Sequence, residues 1–219
     1  MDAHAESTQT TPALDTHVLQ RSAEHLAEKY AGIFSPETVE RYVFESYATL
    51  SRTARVRTHL ASIAAHFADN RLRALGQSQG KIDSGVPQVL FVCVHNIGRS
   101  QIAAALLAHY AAGDVEVRSA GSLPQSDVHP LAVDVLAERG IDLTGAYPKP
   151  LTDDVVRAAD YVVTMGCGDA CPVYPGKRYL DWDVSDPADQ TIDGVRDIVD
   201  DMEVRVRQFW SEIQREVTR

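Results

Sequence analysis

VLFVCVHNIGRSQIAAALL, residues 89–107, passes from an unbroken apolar run into a cysteine, then six residues later to an arginine, then to an alanine- and leucine-rich segment. The run Val89 to Val94 has the pattern of a strand covered on both faces, and Gln101 to Ala111 that of a helix. Cys93 therefore stands where a strand gives way to a helix. Residues 94–99 form a tight loop whose backbone N–H groups can converge, with the next helix N-terminus aimed at the same point, so the expected occupant is an anion. The same partial positive charge, with Arg99 and the Ser100 hydroxyl, favours a thiolate, and Cys93 is expected to ionise below the ~8.5 of a free cysteine.

The alternation continues outward from this junction. Val115 to Ser119 reads as a second strand, Pro130 to Arg139 as a helix closed by Gly140, and Thr152 as the cap of a short helix ending near Ala159. Tyr161 to Met165 and Arg178 to Trp182 read as two further strands. In the last segment Val195, Ile198, Val199, Met202, Val206, Phe209 and Ile213 form one helical stripe. Strands alternating with helices predict an α/β domain: a four-stranded parallel sheet with helices on both faces, binding ligands at the carboxyl ends of its strands.

Ahead of it, GQSQGKIDSGVP (residues 76–87) has linker composition, which divides the chain into expected domains 1–80 and 81–219. The first reads as an all-α three-helix bundle. Its apolar faces are Leu19, Leu26 and Tyr30; Val39, Val43, Tyr47 and Leu50; and Val56, Leu60, Ile63 and Phe67. Ser35-Pro36-Glu37 predicts the start of the second helix. His17, His25, His59 and His66 are scattered without metal-ligand spacing.

Composition narrows the function. The 219-residue chain carries a net charge of −10; residues 1–80 hold 8 basic and 9 acidic side chains, the remainder 13 and 22. That balance argues against nucleic acid or an anionic membrane as a partner, since both require clustered Lys and Arg. No apolar run reaches bilayer length and the polar start lacks a signal-peptide pattern, so a cytoplasmic location is expected. The three cysteines, Cys93, Cys167 and Cys171, are an odd number confined to the acidic part, which points to thiol chemistry rather than a disulfide framework. Cys-x3-Cys without a second ligand pair predicts no metal site.

Cys93-Val94-His95-Asn96-Ile97-Gly98-Arg99-Ser100, the SAGS of residues 119–122, and Asp186-Pro187 together resemble the low-molecular-weight tyrosine phosphatase fold over residues 86–215. The resemblance is to its three-cysteine, thioredoxin-coupled arsenate reductase branch, of the actinobacterial type with an N-terminal three-helix domain. It implies Cys93 as nucleophile, oxyanion binding by Arg99 and the amides of residues 94–100, and Asp186 as general acid. Reducing arsenate takes two electrons, and the chain shows no flavin, nicotinamide or metal motif, so a dithiol must supply them. The resemblance implies a relay in which Cys167 attacks Cys93 and Cys171 then attacks Cys167, with thioredoxin as external reductant and no bound cofactor. One helical turn between Cys167 and Cys171 would set their Cα atoms about 6 Å apart, within disulfide range. Phosphate and sulfate are expected to compete with arsenate.

Gln101 and Ala188 replace a proline and an aromatic residue typical of the tyrosine phosphatases, which favours the reductase. His95 and Gly98 depart from the glycine and cysteine of many relatives. The helix after the loop starts without an acidic residue, so the potassium site of some relatives is not expected. Two alternatives stand beside this reading: a tyrosine phosphatase, and a thiol-based arsenite sensor using the helical domain to bind DNA. The bundle is expected to pair two chains into a homodimer or to add stability.

Overall fold

The computed structural model describes residues 12–54, 58–166 and 171–218. They fall into two compact units that divide between Leu72 and Arg73.

The first unit holds α1 (Pro12–Lys29), α2 (Pro36–Leu50) and the greater part of α3 (Leu60–Ser78). Leu19, Leu26, Tyr30, Val39, Val43, Leu50, Leu60 and Phe67 are buried, as their spacing predicts. Tyr47 and Ile63 are half-buried, and Val56 lies outside the described residues. Ser35 caps α2 by accepting the Thr38 N–H at 3.3 Å, and Pro36 opens the helix. Polar bonds tie α1 to its neighbours: Tyr30 donates to Asp69 at 2.7 Å, and Tyr47 donates to Asp15 at 2.5 Å.

The second unit follows the order β1 (Gln88–Cys93), α4 (Arg99–Ala111), β2 (Glu116–Gly121), α5 (Pro130–Ala137), α6 (Asp153–Ala158), β3 (Tyr161–Met165), β4 (Arg178–Asp181), α7 (Ile192–Val217). The strands lie in the order β2-β1-β3-β4 and every pairing is parallel. Cys93 pairs with Gly121 on one side and Met165 on the other, so three strands end at one level beneath the loop.

The pleat of β1 sorts its side chains to two cores. Val89, Phe91 and Cys93 join α4, α5 and α7, whereas Leu90 and Val92 pack with Val155, Val156 and Ala74. All seven stripe residues of α7 are buried, and Phe209 meets Phe91, Tyr161 and Trp182 at ring separations of 5.5 to 6.5 Å. Among the described residues no helix is long and apolar enough to cross a membrane.

Two local expectations need correction. Thr152 takes the N-cap position of α6, but its buried hydroxyl accepts no hydrogen bond there. Residues 76–78, read as linker, continue α3. Gly76 is needed because Ile82 folds back onto it, and a Cβ there would stand 2.4 Å from Ile82 Cδ1. Its carbonyl accepts the N–H groups of Lys81 and Ile82.

From Arg73 onward α3 belongs to the α/β unit. Arg73 and Gln77 both donate to Glu116, and Gln77 Oε1 accepts from the largely buried Arg118 at 2.6 Å. Burial pushes the Arg118 guanidinium below its ordinary pKa, and Glu116, although half-buried, is held below the carboxylate range by Arg73 and Arg118. Gln77→Ala would strip one bond from each member of this charged pair. We expect it to destabilise the fold by about 2 kcal/mol in urea titrations, since buried charged groups lose heavily when a partner goes.

Candidate active site

The loop between β1 and α4 is built inside out. The carbonyls of Val94, His95 and Ile97 face away from the centre and accept N–H groups of Leu123, Gln125 and His129 at 2.8, 3.1 and 2.9 Å. All described peptides are trans, so the N–H groups of His95, Asn96 and Gly98, opposite those carbonyls, face the other way. The Asn96 N–H reaches Cys93 Sγ at 3.2 Å. Asn96 achieves this at φ +52°, in the left-handed region that asparagine tolerates. Gly121, the glycine of SAGS, lets the loop settle on the end of β2: a Cβ there would meet the Val94 carbonyl oxygen at 2.8 Å.

Around Cys93 the side-chain amides orient one another. Asn96 Oδ1 accepts the Lys149 backbone N–H at 2.8 Å, which fixes the amide orientation. Its Nδ2 then donates to Ser100 Oγ at 2.7 Å. Ser100 Oγ also lies 2.9 Å from Cys93 Sγ, a hydrogen bond that either group can donate. The sulfur receives an amide N–H, and the Ser100 hydroxyl stands ready to donate to it as well. Gln101, buried at the head of α4, donates from Nε2 to Asn96 O, Asn96 Oδ1 and Tyr147 O at 3.1, 3.2 and 3.0 Å. A proline at position 101 could make none of these bonds.

Arg99 and Asp186 meet across the mouth of the loop, with Nη2 donating to Oδ2 at 2.6 Å. The other carboxylate oxygen accepts the Ala188 N–H at 3.1 Å. Two glycines allow this approach. Gly166, at φ +71°, lies against the guanidinium, where a Cβ would come 3.0 Å from Nη1. Gly98 receives Pro187, whose Cγ would sit 2.4 Å from a Cβ at 98. The departure at position 98 is thus the place where the Asp186-Pro187 loop seats.

The structure brings Cys93, Arg99, Ser100 and Asp186 together with the loop residues 94–98. Cys171 is buried, but on the other side of the sheet, with Leu90, Val92, Ala120 and Val162. Cys167 lies outside the described residues, as does Gly168. Among the described residues no group of side chains is set to hold a metal.

Sequence reasoning missed Lys149, whose only signal is a lysine between two prolines. Its backbone braces Asn96, while its Nζ donates to Tyr147 O at 3.1 Å and stands 4.7 Å from the Tyr147 ring. Burial lowers its pKa from 10.5 to about 8. Between those values the unfolded chain holds more protons than the folded one, so stability rises with pH across that window and carries the full penalty below it. Lys149→Met should therefore stabilise the protein by about 2 kcal/mol near pH 7, with most of the gain lost near pH 10, as denaturant midpoints at the two pH values will register.

Comparison with known proteins bears on this geometry. A model of the low molecular weight phosphotyrosine protein phosphatase family matches residues 88–219, and one described as a protein-tyrosine-phosphatase-like N-terminal domain matches residues 19–76. A solved thioredoxin-dependent arsenate reductase of Corynebacterium glutamicum is 55% identical, covering 93% of this chain and 100% of its own, with a TM-score of 0.84. A glutaredoxin arsenate reductase of Synechocystis is 32% identical over 58% of this chain and 98% of its own. An arginine phosphatase of Geobacillus stearothermophilus, 28% identical with a TM-score of 0.53, covers 59% of this chain and 94% of its own.

Proposed function

The chain belongs to the low molecular weight phosphotyrosine protein phosphatase family, and from that footing we propose that it reduces arsenate to arsenite through a relay of three cysteines, with thioredoxin restoring the dithiol. The observation that carries this reading is likeness over nearly the whole chain to a thioredoxin-dependent arsenate reductase.

The chemistry follows from the groups in place. Arsenate enters the ring of N–H groups and takes over the Arg99 guanidinium, releasing Asp186 to carry a proton. The Cys93 thiolate forms an S–As bond as one As–O bond breaks, and Asp186 gives its proton so that water leaves. The Cys167 thiolate then attacks Cys93 Sγ. An S–S bond forms, the S–As bond breaks with its electron pair passing to arsenic, and arsenite departs. Cys171 attacks Cys167 in turn, freeing Cys93 and leaving a Cys167–Cys171 disulfide for thioredoxin.

The test is arsenate-dependent NADPH consumption with thioredoxin and its reductase. Robust p-nitrophenyl phosphate hydrolysis without any arsenate-dependent turnover would replace this reading with a phosphatase. We also propose that the N-terminal helices pair two chains. Sedimentation should give a dimer for the full chain, and a monomer would dispose of that role.

A further inference from the structure

The relay's first and last thiols lie on opposite faces of one sheet. Cys93 follows Val89 and Phe91 into the core beneath α4, α5 and α7, and Cys171 packs with Leu90, Val92 and Val162 on the reverse. At 8% exposure, Cys171 is shut away from solvent in an apolar setting. Thiols so placed are inert, because the thiolate is the reacting form. The last exchange therefore requires Cys171 to leave this core.

The segment that follows Cys171 is tied to α6 by the Tyr174 hydroxyl, which donates to Asp153, and to β4 by one oxygen that makes two bonds. Tyr179, on β4, donates its hydroxyl to the Pro172 carbonyl at 3.1 Å and accepts the Tyr174 N–H at 2.9 Å. The two bonds staple residues 172–174, which follow the cysteine directly, to the strand beside β3. Val173, between the two anchored residues, turns outward and is 77% exposed. The Tyr174 and Tyr179 side chains also pack against the cluster containing Cys171.

We propose that Tyr179 is a positioning residue for the third thiol: its hydroxyl staple keeps Cys171 buried while the protein is reduced, and opening of the staple gates the final thiol–disulfide exchange. The inference rests on the relay reading of the function. In that exchange Cys171 gives its proton to solvent, its sulfur bonds to Cys167, the Cys167–Cys93 bond breaks and Cys93 leaves as thiolate, with no external oxidant.

The test uses the reduced full-length protein without arsenate, following iodoacetamide labelling of Cys171 by peptide mass spectrometry. Tyr179→Phe keeps the ring and removes both hydrogen bonds, and labelling should accelerate about tenfold. Tyr161→Phe takes the same atom from a ring on the opposite face of the sheet, where the Tyr161 hydroxyl donates to Glu216 at 2.6 Å, and leaves the staple intact, so labelling should stay at the wild-type rate. After one equivalent of arsenate, the Cys93–Cys167 disulfide should be shorter-lived in Tyr179→Phe. Unchanged labelling in Tyr179→Phe, an equal rise in both variants, or an unchanged lifetime of that disulfide would overturn the proposal. Failure of the relay reading looks different: wild-type protein would form no arsenate-dependent disulfide, whereas the labelling comparison needs no arsenate.

Discussion

Cys93→Ser should abolish arsenate reduction, with a loss on the order of 10⁴-fold or more in thioredoxin-coupled turnover. The geometry around the sulfur explains why oxygen is no substitute. The Asn96 N–H donates to this position at 3.2 Å and the Ser100 hydroxyl lies 2.9 Å from it, spacings set for a sulfur atom. A serine hydroxyl remains protonated at neutral pH, and an oxygen–arsenic adduct cannot be resolved into a disulfide. The fold should survive, since serine fills nearly the same volume. Circular dichroism and sulfate protection against heat should resemble wild type, and retained turnover in the serine variant would refute the assignment of Cys93.

Cys171→Ser separates the chemical steps. With Cys93 and Cys167 intact, one arsenite should be released per chain, after which the enzyme stops with its first two cysteines joined. Steady-state turnover should fall about 100-fold or more, while a single-turnover burst keeps its amplitude. Intact-mass spectra should show the loss of two hydrogens after one equivalent of arsenate. Any phosphate-ester hydrolysis should be unaffected, since that reaction needs one thiol and water. Sustained arsenate turnover with thioredoxin in this variant would falsify the three-thiol relay.

Periodicity carried much of this architecture. The seven buried positions of α7 and the limits of β3 match the pattern read from the chain, because both elements bury a complete face or lie between covering layers. That the cysteine, arginine and serine share one loop was legible for a related reason: their spacing and position at a strand-to-helix junction bring them together locally. What escaped the sequence depends on contacts between distant segments. Gly76 read as linker, yet it is the flat spot on a helix where Ile82 returns. Gln101 stood out as an unusual residue, but its bonds to Asn96 and Tyr147 exist only once residues 147–149 lie beside the loop. Tyr179 gave no signal, because a tyrosine in a short edge strand is unremarkable until its hydroxyl is seen bridging two backbone groups.

The seat of Pro187 on Gly98 joins two parts of the machinery that the chain keeps far apart. The absent methyl group acts as a spacer of fixed thickness: it sets how near Asp186 can come to Arg99 and the loop. Any side chain introduced at 98 would push the Asp186-Pro187 segment outward, stretching the Arg99–Asp186 pair and widening the entrance. Positions 98 and 187 should therefore tolerate change only as a pair, with bulk gained at one compensated by bulk lost at the other.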